Sequence, residues 1–220
     1  MSEDTYAAVD AFIEGTLFAA EDEVLAAAQA DADAAGLPPI QVTPPQARLL
    51  AILCEAIGAS RILEFGTLGG YSTIVMARTL PDDGQLITLE YDPAHAEVAR
   101  RNIERAGLDD HVEIKVGPAL DALPGLENTL PFDFVFIDAD KVNTPSYFAW
   151  AVDHVRPGGM IFADNVVRDG GIVDPEADVH SAAQRTLHEQ IAAEPRVTAT
   201  TIQTVGAKAY DGFTLALVKV

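Results

Sequence analysis

Residues 61–72 read RILEFGTLGGYS. Arg61-Ile62-Leu63-Glu64-Phe65 is an apolar run long enough for one buried strand and too short for a helix. Gly66-Thr67-Leu68-Gly69-Gly70 follows, and from Tyr71 to Arg78 the apolar residues return at helical spacing. Strand, glycine turn and helix in that order open a doubly wound α/β fold. The glycines let backbone N–H groups come close to a ligand, and the helix that follows aims its positive end at it. Ligands of such sheets sit at the carboxyl ends of the strands, so the chemistry is sought there.

The rest of the chain repeats the alternation. Further strands are predicted at Gln85–Glu90, Val112–Val116, Phe132–Asp138, Met160–Ala163, Val197–Gln203 and Phe213–Val220. Helices are predicted at Pro93–Ala106, closed by Gly107, at Thr144–Val155 and at Val179–Ala193. Pro157-Gly158-Gly159 reads as a turn, and Val166–Asp178, with Gly170, Gly171 and Pro175, as a mobile loop. Ahead of the first strand, Thr5–Ala35 reads as two helices broken near Gly15-Thr16. A third helix begins at Thr43, whose hydroxyl can cap it, with Pro44-Pro45 in its first turn, and runs to about Ile57. The last two strands have no helix between them and should pair antiparallel. The expected architecture is a Rossmann-like, doubly wound seven-stranded sheet, mostly parallel with an antiparallel C-terminal strand, plus N-terminal helices.

A chain of 220 residues suits one domain, with residues 1–57 as a helical extension packed on a core of residues 58–220. Its net charge of −20 repels phosphate backbones, so no nucleic-acid partner is expected. No apolar run reaches the length of a membrane span, and the acidic start lacks the basic and apolar regions of a signal peptide; the cytoplasm is the expected setting. The single cysteine, Cys54, lies in an apolar helical run and reads as a buried structural thiol.

Four strands finish in a carboxylate: Glu64, Glu90, Asp138 and Asp164. Glu90 follows the first glycine by about two dozen residues, the spacing of an acid that accepts from ribose hydroxyls. The glycine turn is G-x-x-G-G, with Leu68 where a dinucleotide site needs its second glycine, so a nucleoside without a pyrophosphate fits better than NAD. Ser72 and the N–H groups after Gly70 could hold a carboxylate, although Ser72 could equally be a plain first-turn residue. Glu64 could accept from an ammonium. Adenosine with a carboxylate and an ammonium describes S-adenosylmethionine. Asp138, Asp164 and Asn165 offer oxygen donors from two adjacent strand ends, a set that suits Mg²⁺ or another hard divalent cation; the plainer alternatives are a helix cap and an ordinary turn. Lys141, three residues beyond Asp138, could serve as a general base beside such an ion or could be an exposed lysine at a helix start.

The chain resembles the cation-dependent class I O-methyltransferases, the group that includes the catechol and caffeoyl-CoA O-methyltransferases. The resemblance runs through ILEFGTLGGYST, QLITLEYDP, VGPALDALP, FDFVFIDADK, RPGGMIFADNV and YDGFTLALV. It implies S-adenosylmethionine held by Val42, Glu64, Gly66, Thr67, Ser72, Glu90 and Ala119, a divalent ion on Asp138, Asp164 and Asn165, Lys141 as base, and a homodimer. The implied reaction moves a methyl group to a hydroxyl of a small phenolic acceptor with vicinal oxygens, such as a catechol. Pro45-Gln46-Ala47-Arg48 and His188 depart from the family pattern, and these departures bear on the acceptor. Two alternatives stand beside this reading: a nicotinamide-dependent oxidoreductase on the same fold, and a non-catalytic protein that binds the cofactor without turnover.

Overall fold

A computed structural model describes residues 3–18, 22–129, 131–206 and 208–220. Seven strands among them form one sheet: β1 (Arg61–Phe65), β2 (Gln85–Glu90), β3 (Val112–Val116), β4 (Phe132–Ile137), β5 (Val155–Asp164), β6 (Val197–Gly206) and β7 (Ala209–Val218). Their order across the sheet is β3-β2-β1-β4-β5-β7-β6. The first five in that order run parallel, and β7 is antiparallel to both of its neighbours. The strand order reverses direction between β1 and β4, which opens a crevice beyond their carboxyl ends.

The helices are α1 (Glu3–Leu17), α2 (Glu23–Ala34), α3 (Pro44–Ala56), α4 (Tyr71–Ala77), α5 (Pro93–Arg105), α6 (Ala119–Ala122), α7 (Thr144–His154) and α8 (Val179–Ala193). Alternation along the strands assigns each residue to one layer or the other. Leu63 and Phe65 of β1 join Val135, Ile137, Tyr147 and Phe148 in the core under α7. Ile62 joins Phe134, Phe136, Ile74 and Leu50 in the core under α3 and α4. Glu64 shares the second face with Ile62, so its carboxylate is carried toward α4. Thr43 caps α3 as expected, accepting from the Gln46 N–H at 3.4 Å.

Several sequence expectations are corrected. No break falls at Gly15-Thr16: α1 continues to Leu17, because Gly15 faces open space where the lost side chain costs no packing. Residues 19–21, within the stretch expected as helical, and Ala207, within the loop expected before the last strand, lie outside the described residues. Pro157-Gly158-Gly159 is not a turn before a short strand; β5 runs through it from Val155. The pairing with β4 shifts register between Phe132 and Phe134, and β7 pairs only from Met160 onward, so the missing Pro157 N–H costs no ladder bond. Gly159 lies so close to β4 that an added Cβ would sit 2.6 Å from the Asp133 carbonyl oxygen. Strand β6 continues to Gly206 and β7 begins at Ala209, so most of the expected loop from Thr204 to Gly212 is paired strand. Strand β4 stops at Ile137 and helix α7 at His154, one residue short of expectation in each case, and the short α6 was not foreseen.

Candidate active site

The glycine turn is held in place by the acid that ends β2. Glu90 Oε2 accepts from the N–H groups of Thr67 at 3.1 Å and Leu68 at 2.8 Å, while Oε1 accepts from Asp92 N–H at 2.9 Å. Leu68 sits in left-handed backbone at φ +49°. Gly66, at φ +95°, brings β1 against β4 so closely that a Cβ would lie 2.2 Å from the Asp138 carbonyl oxygen; no other residue fits.

A cavity of about 720 Å³ opens at this edge of the sheet. Of the residues singled out in the sequence, Val42, Gly66, Thr67, Ser72, Glu90, Ala119, Asp138, Lys141 and Asn165 line it. Glu64 and Asp164 are not among the lining residues. Glu64 is fully buried and accepts three hydroxyl hydrogen bonds, from Ser72 at 2.6 Å, Thr73 at 2.5 Å and Thr88 at 2.7 Å. Burial pushes its carboxyl up to about 7 despite those donors. The Ser72 hydroxyl thus donates to Glu64 and ties the first turn of α4 to β1.

The second group lies where β4 and β5 end. Lys141 Nζ donates to Asp138 Oδ1 at 2.6 Å. Asp164 is buried, and its carboxyl is pushed up to about 7, first by that burial and then by the charge of Asp138, with Lys141 pulling the other way. Asn165, next to it, takes a left-handed backbone at φ +55° and faces the cavity. Among the described residues no three His, Cys, Asp or Glu side chains gather to hold a metal ion. A site here therefore needs the Asn165 amide as its third protein donor. Two acids that feel each other's charge, beside an amide, are chemically suited to a hard dication.

Residues that the sequence reading passed over complete the edge. Gln184 of α8 is fully buried and donates to the Lys141 carbonyl oxygen at 2.8 Å, fixing the backbone from which Lys141 extends; a glutamine on the buried face of α8 was the available signal. Lys208, in the β6–β7 turn, donates from Nζ to the Gln41 carbonyl oxygen, while burial lowers its pKa and the charges of Asp138 and Asp164 raise it. Arg168 also lines the cavity. Neither basic residue has a local spacing that would have marked it.

A doubly wound sheet with a glycine turn, an acid after β2 and a Lys–Asp pair after β4 defines a nucleoside-binding α/β protein with a reactive edge. The family described as O-methyltransferase matches residues 17–219, and the chain belongs to that family. It is 52% identical over 211 residues to a catechol O-methyltransferase of Mycobacterium tuberculosis, covering 96% of this chain and 95% of that protein. It is 48% identical over 223 residues to a catechol O-methyltransferase of Niastella koreensis, covering both completely. The crystal structure of an O-methyltransferase from Bacillus cereus in complex with SAH superposes with a TM-score of 0.96 at 49% identity, covering 99% of this chain and 100% of that one. Family membership displaces the oxidoreductase alternative. Among the described residues no helix is long and apolar enough to cross a membrane.

Proposed function

We propose that this chain transfers the methyl group of S-adenosylmethionine to one hydroxyl of a catechol-like acceptor, with a divalent cation bound at Asp138, Asp164 and Asn165. The observation that carries the reading is the 2.6 Å Lys141–Asp138 contact, opening onto the same cavity as the turn tied to Glu90. The names of the catechol O-methyltransferase relatives support the acceptor class, and the SAH-bound Bacillus cereus structure supports the cofactor.

Glu90 has one carboxylate oxygen occupied by two N–H groups and the other by one, which leaves Oε1 capacity for a ribose hydroxyl. Val42 and Ala119 offer apolar walls for the base. Lys141 Nζ, once deprotonated, takes the proton of the acceptor hydroxyl. The resulting oxygen forms a bond to the sulfonium methyl as the carbon–sulfur bond breaks, and S-adenosylhomocysteine leaves with both electrons of that bond. A bound cation would supply positive charge that stabilises the ionised acceptor oxygen. Holding the two reactants aligned contributes up to roughly 7–11 kcal/mol in favourable systems. The family resemblance also supports a homodimer in a cytoplasmic setting, and the exposed Ile202 and Val205 of edge strand β6 offer apolar surface for a second copy.

The deciding experiment follows methyl transfer to catechol with Mg²⁺, then after chelation by EDTA, then after Mg²⁺ is restored. Turnover that disappears and returns is expected; turnover indifferent to EDTA sinks the metal role.

A further inference from the structure

The Arg168 side chain faces the cavity, and its Nε is buried with no hydrogen-bond partner. Three other arginines of the fold are occupied. Arg156 donates to Asp133, Arg105 to Asp31, and Arg185 Nε to the Ile172 carbonyl oxygen at 2.9 Å. Asp178 lies near enough to feel the Arg168 charge, but its carboxylate accepts from the Ser181 N–H at 2.8 Å. A buried N–H without an acceptor is costly, and in a chain of net charge −20 no carboxylate among the described residues accepts from this Nε.

The backbone is bent to put it there. Arg168 takes φ +56° and Asp169 φ +54°, conformations that non-glycine residues adopt at a cost. Asp211 holds this corner: its Oδ1 accepts from the N–H groups of Val167 at 3.0 Å, Arg168 at 2.9 Å and Gly212 at 2.9 Å. The left-handed pair lies three residues beyond Asn165, directly after the buried Val166 and Val167, and Arg168 shares with Asn165 the lining of the cavity.

We propose that Arg168 reads an anionic group on the methyl acceptor, so that the preferred acceptor is a vicinal-oxygen phenol that carries a carboxylate away from its reacting oxygens. This rests on the methyl-transfer reading above. A guanidinium presents a planar pair of N–H donors that matches the two oxygens of a carboxylate, and such charge-assisted pairs discriminate against an uncharged isostere. Arg168 is then a specificity-determining residue and takes no part in bond making.

The test compares protocatechuate with its carboxamide, which keeps the shape and loses the charge. Wild-type kcat/KM is expected to favour the acid by roughly tenfold or more. Arg168→Met should bring that ratio close to one, and Arg168→Lys should leave it between the two. An unchanged ratio in Arg168→Met overturns the proposal, as does a loss that falls on S-adenosylhomocysteine affinity, which would assign Arg168 to the cofactor's own carboxylate. If neither phenol is methylated, the methyl-transfer reading fails by itself. Calorimetric binding of the two phenols to the S-adenosylhomocysteine complex then decides the Arg168 question by the same ratio. Should Arg168→Met not fold, Arg168→Lys carries the comparison, and an acid-to-amide ratio in it equal to that of wild type counts against the proposal.

Discussion

Glu90 and Leu68 meet through a 2.8 Å hydrogen bond in which the acid closing β2 accepts from the N–H of a leucine in left-handed backbone. The same oxygen accepts from Thr67, so one carboxylate fixes the shape of the glycine turn. Glu90→Ala would leave both N–H groups without that acceptor, at a cost of about 1–3 kcal/mol. The expected result is a lower melting temperature and S-adenosylhomocysteine affinity reduced by roughly tenfold or more. Calorimetric titration of the variant checks this; wild-type affinity would separate Glu90 from the cofactor.

Lys141→Met removes the proposed base while keeping the bulk of the chain. The kcat for catechol should fall by about 100-fold or more, the usual range for a lost general base. Cofactor affinity should hold within about threefold, since Lys141 bonds Asp138 and not the glycine turn. A kcat near wild type in single-turnover measurements would remove Lys141 from the proton transfer.

Glu64 gives the fold a pH dependence of known sign. Its carboxyl is pushed up to about 7 by burial from an ordinary value of 4.5. Below about 4.5 folded and unfolded chains both hold the proton, and this group has no effect. Between 4.5 and 7 the unfolded chain has released its proton and the folded one has not, so stability declines as pH rises. Above 7 the decline is complete, at about 3 kcal/mol. Glu64→Gln should flatten that part of the apoprotein's stability profile. Denaturation by urea at several pH values would check it, and equal slopes in both proteins would refute it.

Asp133 links the start of β1 to the bend in β5. It accepts from Ser60 N–H and Arg61 N–H, both at 2.8 Å, and from Arg156 Nε at 2.5 Å. Burial alone would raise its carboxyl, but the donors of Arg156, Ser60 and Arg61 outweigh it and hold the carboxyl below its usual range. Asp133→Ala should cost about 1–3 kcal/mol, because the N–H groups of Ser60 and Arg61 lose their acceptor while the partly exposed Arg156 keeps its carbonyl partners. A thermal unfolding midpoint unchanged in the variant would show that water replaces the carboxylate without loss.

The strands were legible because each is a short apolar run bounded by a turn, and parallel order sends every carboxyl end to one edge. Asp138, Asn165 and Glu90 could be placed on that edge from chain direction alone. The clearest error arose where a tertiary contact outweighed a local tendency. Pro157-Gly158-Gly159 has the composition of a turn, yet Gly159 packs on the Asp133 carbonyl and the strand continues. Strand alternation turns Glu64 toward the hydroxyls of α4, a contact that its place near the glycine turn did not announce. Arg168 and Lys208 were invisible because their positions depend on a left-handed corner and a hairpin tip, neither of which has a periodic signature.

The position of β7 between β5 and β6 separates chain order from sheet order at this margin. Strand β6 pairs only with β7, so a nascent chain that has emerged through β6 still has the outer margin of β5 bare. Asp211, which clamps the corner at Arg168, arrives with the same late hairpin. Of the seven strands, the one that completes the wall beside Asn165 is therefore the last in chain order, and the corner at Arg168 gains its clamp only once β7 lies between β5 and β6.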